Sequence, residues 1–252
     1  EYVKPKALDP FIALRAGNIY RQRDHSYTLD QILQLNIFKF VNIRYKTIDK
    51  DSLDVIIQLT PTQYQDVNVD LEASTTNTNF LGTNLQVSYL NRHLFRRANQ
   101  LEIIVNAGSE FQFTGQTSTV NILDISGQIN YYLPRLFGLK GWQQRRQLRN
   151  PKTKFSVSNN YEKWFNLYTL NSVNFNYQYN WRDKRNIRHQ LSPFSFTRVN
   201  LLNSDTELND LLEANPNLRT SFEEVLIISQ TYDLSFDTRE NDRPLKNYWW
   251  FN

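Results

Sequence analysis

Polar and apolar residues alternate through residues 64–113 in three runs separated by short turns. In the first, Val67, Val69, Leu71 and Ala73 share one side, while Asp66, Asn68, Asp70 and Glu72 share the other. The second sets Leu85, Val87 and Tyr89 against Asn84, Gln86 and Ser88. The third sets Leu101, Ile103, Val105, Ala107, Phe111 and Phe113 against Glu102, Asn106, Glu110 and Gln112. Successive side chains of a strand point to opposite faces, so these runs predict three antiparallel strands with one apolar and one polar surface. The pattern recurs downstream. Leu123, Ile125, Ile129, Tyr131 and Leu133 oppose Asp124, Ser126, Gln128 and Asn130. Val173, Phe175, Tyr177, Tyr179 and Trp181 oppose Asn174, Asn176, Gln178 and Asn180.

Such alternation fits two architectures. A soluble sandwich turns its polar face to water, whereas a membrane barrel turns its apolar face to lipid and its polar face to the lumen. Strand length favours the barrel, because about 9–11 tilted residues cross a bilayer and ordinary strands average about 5–6. The set at 173–181 favours it too: its apolar face is aromatic toward one end, and its polar face carries amides rather than Lys or Glu. Aromatic side chains gather at membrane interfaces, and amides suit a hydrated lumen.

Residues 1–62 read differently. Residues 11–14 suggest a short strand and Gly17 a turn. Thr28-Leu29-Asp30-Gln31 has the form of a capping box, which starts a helix by satisfying free backbone N–H groups. Leu29, Ile32 and Leu33 follow at helical spacing, and Asn36 is placed to end that helix, since Asn tolerates the left-handed conformation. Residues 38–48 and 53–60 alternate as two strands around Asp49-Lys50-Asp51-Ser52. Strand, helix and hairpin make a small α/β unit with Leu29, Ile32 and Leu33 packed on the sheet. Further strands are predicted at 154–161, 168–181, 187–201 and 224–238, the third requiring a bulge or an edge at Pro193 because Pro lacks a ladder N–H. Ser204-Asp205-Thr206-Glu207 predicts a second short helix ending near Asn215-Pro216.

Composition narrows the function classes. The chain has 252 residues with 7 Gly and 8 Pro, which excludes a low-complexity chain, and no apolar run approaches the roughly 18 residues of a membrane helix. Any membrane crossing therefore falls to strands. With Cys at 0, disulfides, thiolate catalysis and Cys-based metal sites are excluded. His25, His93 and His189 lie outside any ligand spacing and read as structural. No nucleophile elbow, P-loop or dinucleotide fingerprint occurs. Glu102 and Glu110 share a strand side but stand roughly 26 Å apart, too far to cooperate as acids. Neither an enzyme nor a cofactor is expected. The net charge of +4 is mild and densest over 140–154, where Arg145, Arg146, Arg149 and Lys152 read as a solvated turn, with phosphate contact as the other reading. No nucleic-acid-binding module accompanies it.

One family resemblance covers the whole chain. Leu33-Gln34-Leu35-Asn36-Ile37-Phe38-Lys39-Phe40-Val41-Asn42-Ile43 resembles the helix-to-strand signature of a POTRA domain, with Asn36 where Gly is common. Leu59-Thr60-Pro61 and the strand from Tyr64 resemble the junction of the last POTRA domain with the barrel in the BamA/TamA family. Leu81-Gly82-Thr83 and Asn91-Arg92-His93-Leu94-Phe95-Arg96-Arg97-Ala98 are similar to that family's first barrel hairpin and its periplasmic turn, and Leu133-Pro134 to the end of its fourth strand. The resemblance implies a mainly β chain in which a periplasmic POTRA domain, 1–62, precedes the N-terminal half of a sixteen-stranded antiparallel transmembrane β-barrel, 63–252. It implies a bacterial outer-membrane protein that assembles, inserts or translocates other proteins through a lateral gate. Its partners would be unfolded outer-membrane clients, outer-membrane lipids and accessory periplasmic or lipoprotein subunits. Carried onto this sequence, the gate strand is Asp66, Val67, Asn68, Val69, Asp70 and Leu71. The client-binding POTRA edge is Phe38, Phe40, Val41, Asn42 and Ile43. The family's Arg-Gly-Phe loop motif has no match here, and the strand-like residues 248–252 together with the absent initiator Met predict a fragment. Two other readings stay open: a related secretion barrel or the barrel of a surface enzyme, and a soluble β-rich binding module.

Overall fold

A computed structural model describes residues 3–49, 52–75, 80–114, 117–139, 141, 148–183, 187–205, 208, 212–213, 224–237 and 248–251. The chain is mainly β. It opens with a helical turn α1 (Pro5–Leu8), a 3₁₀ turn (Asp9–Phe11) and helix α2 (Gln22–Leu33), followed by the antiparallel hairpin β1 (Phe38–Asp49) and β2 (Ser52–Pro61). Eight long strands then form an antiparallel meander: β3 (Gln65–Thr75), β4 (Phe80–Leu94), β5 (Asn99–Thr114), β6 (Thr117–Leu133), β7 (Arg149–Trp164), β8 (Tyr168–Arg182), β9 (Arg188–Ser204) and β10 (Val225–Asp237). A four-residue strand β11 (Tyr248–Phe251) pairs with the end of β10. Each strand pairs with its sequence neighbours, β3 stands at one edge, and the sheet is not closed into a barrel. The strands of this meander run 11–17 residues from β3 to β10, far beyond the usual length of about 5–6.

The amino-terminal unit departs from its sequence reading in three places. Residues 12–15 form no strand, and Phe11 belongs to the 3₁₀ turn, so the sheet of this unit has two strands. Helix α2 begins at Gln22 rather than Thr28, and no side chain caps it. Thr28 is instead fully buried in mid-helix: its hydroxyl donates to the Asp24 carbonyl at 2.7 Å and accepts from the Ala13 N–H at 3.0 Å. The Thr-x-x-Gln spacing is a cap only where the backbone is otherwise unpaired, and here the preceding turn already is helix. Of the three apolar residues expected against the sheet, Ile32 is 0 % exposed, Leu29 is half-buried, and Leu33 is 38 % exposed. Asn36 does leave the helix in the left-handed region, at φ 56°.

The core of this unit gathers Val3, Leu8, Phe11, Ile32, Leu35, Ile37 and Phe38, and it includes Ala98 from the β4–β5 turn. The Gln100 side chain donates to the Leu35 carbonyl at 2.9 Å, and the Lys4 N–H to the Arg96 carbonyl at 3.2 Å. The unit is thereby seated on the end of the sheet where β4 meets β5. At Pro193, β9 carries one residue more than either neighbour: the register shifts between Tyr177 and Tyr179 on β8 and between Ser229 and Thr231 on β10. That bulge is what admits a proline into an interior strand. The predicted helix at 204–215 falls mostly outside the described residues.

Candidate functional site

The register aligns the apolar positions into rows that cross the whole sheet. Val67, Tyr89, Ile103, Ile129, Val157, Phe175, Phe196 and Ile228 are successive partners from β3 to β10. This surface is open: Ile129 is 50 % and Val157 48 % exposed, although both sit mid-sheet. The opposite surface is polar and tighter. Asn130 and Ser156, next in sequence to those two residues and paired with each other, are 2 % and 6 % exposed. The sheet is inside-out relative to a water-soluble fold, in which apolar side chains would hold the buried positions.

The polar surface is knitted across strands. Glu102 on β5 accepts from Asn130 Nδ2 at 2.9 Å and from the Tyr132 hydroxyl at 3.0 Å. Asn130 Oδ1 accepts from the Ser156 hydroxyl at 2.6 Å and from Gln128 Nε2 at 2.8 Å. Asn174 donates to Thr197 at 2.6 Å, and Asn106 to Ser126 at 3.1 Å.

The apolar surface has bounds. Toward the end bearing the amino-terminal unit it turns aromatic, with Tyr131, Phe155, Tyr177, Tyr179, Trp181 and Tyr232 on that side of successive strands. There Tyr179 and Trp181 are buried with Leu136 and Leu148 of the β6–β7 connection, and the Tyr179 hydroxyl donates to the Phe137 carbonyl at 2.7 Å. These two rings are therefore covered by protein, a correction to the simple alternation. Toward the other end Asn159, Asn171, Arg198 and Asn200 interrupt the apolar side, but they satisfy one another: Asn159 donates to Asn171 at 3.2 Å and Arg198 to Asn200 at 2.8 Å.

All six residues proposed for the gate lie on β3, which among the described residues pairs with β4 alone. Val67, Val69 and Leu71 are 63 %, 65 % and 79 % exposed, above the 50 % and 48 % of Ile129 and Val157 in mid-sheet. The strand is fastened at one end. Arg92 bridges to Asp66 at 2.5 Å, Gln65 donates to the Tyr89 hydroxyl at 2.8 Å, and Tyr64 stacks on His93 at 5.1 Å. Phe38, Phe40, Val41, Asn42 and Ile43 all lie on β1, whose pairing with β2 leaves its other edge open among the described residues. A register shift between Phe38 and Phe40 divides them: Phe38 and Ile43 are buried, while Phe40 is 61 % exposed beneath the Lys39 ammonium.

Sequence reading missed a cleft of about 1040 Å³ between the amino-terminal helices and the turns at the aromatic end of the sheet. Its walls bring Lys4, Lys6 and Arg23 from the first unit together with Arg97, Arg135 and Arg149 from the sheet. Only Arg149 lay within the basic stretch singled out in the sequence, because the others are scattered and meet through the fold. The histidines have aromatic partners: His25 Nδ1 is 2.7 Å from the Tyr45 hydroxyl, and His189 Nδ1 is 2.8 Å from that of Tyr232. Among the described residues no group of three potential ligands is placed to hold a metal, and no helix is long and apolar enough to cross a membrane. No known family model matches this chain, and no curated protein is significantly similar to it.

Proposed function

We propose that this chain crosses a bacterial outer membrane with its meander and assembles or translocates other proteins there, in the manner of the BamA/TamA family. The single observation that carries the membrane reading is the inversion of the sheet, a buried amide-rich side against an open apolar side. Band height supports it. On β6 the apolar side runs from Leu123 to Leu133. Ten steps of about 3.3 Å, tilted by roughly 40°, span about 25 Å, the height of a lipid-facing band. An open sheet edge is costly in hydrocarbon, so β3 would close against further strands or against a strand supplied by a client.

The gate reading assigns β3 to that second role. A client strand adding to residues 66–71 gains backbone hydrogen bonds that lipid cannot offer. The amino-terminal unit, read as a POTRA domain facing the periplasm, would present the β1 edge to the same clients. No catalytic step belongs to this mechanism. The test is reconstitution of the protein in vesicles with a small unfolded barrel protein. The protein should accelerate client folding, and a cysteine replacing Asn68 should form a disulfide with one in the client's terminal strand. Client folding at the uncatalysed rate, with no cross-link, would refute the assignment.

A further inference from the structure

The cationic cleft has no part in strand templating, and seven cationic side chains line it against two carboxylates. Arg15, which also lines it, is held by Asp9 at 2.5 Å, and Arg23 lies 3.8 Å from Asp24. Among the described residues no carboxylate pairs with Lys4, Lys6, Arg97, Arg135 or Arg149. Asp24 and Asp30 are the acidic residues on its walls. Five cations therefore share one concavity with one further carboxylate, Asp30, and such an excess of one sign attracts an anion.

Its height on the sheet narrows the identity of that anion. Arg135 follows Leu133, the last residue of β6, by two positions, and Arg149 pairs in register with Arg182 at the matching end of β8. The aromatic belt lies on the same strand ends, with Tyr131 and Phe155 only a few residues inward. Arg135 is four residues beyond Tyr131 and Arg149 six beyond Phe155, which at about 3.3 Å per residue and a tilt of roughly 40° places them about 10 and 15 Å outside those rings. Aromatic belts mark the headgroup boundary, so these cations fall at the depth of lipid phosphates. The exposed Phe95, 70 % open between Lys4, Arg96 and Arg97, adds an apolar contact at that level.

We propose that this cleft binds the headgroup of an anionic phospholipid from the leaflet facing the amino-terminal unit, its phosphodiester held by Arg97, Arg135 and Arg149 and its approach favoured by Lys4 and Lys6. The inference rests on the membrane reading for its geometry. A bound lipid would fix the amino-terminal unit against the sheet, because the cations come from both sides of the cleft.

The intact chain in detergent micelles is mixed with dihexanoyl-phosphatidylglycerol, dihexanoyl-phosphatidylcholine or inorganic phosphate, and retained ligand is counted by native mass spectrometry. One phosphatidylglycerol per chain is expected, held at least tenfold more tightly than phosphatidylcholine. Replacing Arg97, Arg135 and Arg149 by Gln should weaken it at least tenfold, and equimolar phosphate should not displace it. Circular dichroism checks that the triple variant folds. If it does not, Lys6→Glu on the exposed turn α1 should still weaken retention several-fold. Equal retention of the two lipids, unchanged retention in both variants, or full displacement by phosphate overturns the proposal. Flotation with vesicles tests the membrane reading separately. A chain that floats yet retains no headgroup sinks this inference alone, and one that retains it but never floats sinks the membrane reading alone.

Discussion

Val157 offers the sharpest energetic test of what solvent the apolar surface meets. It lies on β7 eight residues from Arg149 and seven from Trp164, between Ile129 and Phe175 in the central row, and it is 48 % exposed. In water, Val157→Arg would extend a long side chain from a half-open site, and such surface changes usually stay within about 0.5 kcal/mol. In a bilayer the same change places a guanidinium near the midplane of a lipid-facing strand, which costs about 2–4 kcal/mol. That is roughly a 30- to 1000-fold loss in the folding equilibrium, at about 1.4 kcal/mol per tenfold. Ser158→Arg, one residue along and facing the polar side, is the internal control and should cost under about 1 kcal/mol in either solvent. The assay is urea-titrated folding into lipid vesicles, followed by tryptophan fluorescence. A Val157→Arg penalty no larger than that of Ser158→Arg would refute the argument.

Ile32→Asp should unfold the amino-terminal unit, because it buries a charge and forfeits the roughly 1.5–3 kcal/mol of a buried side chain, whereas Leu33→Asp should melt within about 0.5 kcal/mol of the parent. Limited proteolysis of the intact protein compares the two. Arg92→Ala should free the fastened end of β3 at a cost of about 0.2–1 kcal/mol, seen as faster amide exchange at 65–67 and unchanged exchange on β7. Burial raises the Tyr27 hydroxyl above its ordinary pKa, with Arg149 partly opposing. Above about pH 10 the unfolded chain therefore binds fewer protons at this site than the folded one, and stability falls as pH rises. Tyr27→Phe should flatten that alkaline decline in a thermal melt, and an unchanged slope would show that another group causes it.

Strands were more legible than helices here for a physical reason. A period-2 pattern over 11–17 residues repeats often enough to fix both existence and face, so β3, β5, β6 and β8 fell where the alternation put them. Pro193 even marked the bulge in β9, because a missing N–H leaves little else. The helix start was misread because Thr28 satisfies the spacing of a cap while serving as a buried cross-link to Ala13, and only the partner segment distinguishes the two. Phe40 parted from Phe38 through a local register shift that alternation cannot reveal. The edge position of β3 follows from the pairing order, in which each strand lies beside its sequence neighbours. The cationic cleft follows from chain segments far apart in sequence, so no window of residues could have shown it.

Because the chain has Cys at 0, a spin label can be attached at any single introduced cysteine. Labels at Val69, Val87, Val105, Ile129 and Val157 in vesicles should collide with oxygen dissolved in the bilayer and be shielded from an aqueous nickel chelate. Labels at Gln86, Asn106, Gln128 and Ser158 should show the reverse. Strict alternation of the two accessibilities on each of β4 to β7, with Val69 on β3 following the apolar set, is the predicted result; high nickel accessibility at both sets would contradict the membrane-spanning sheet.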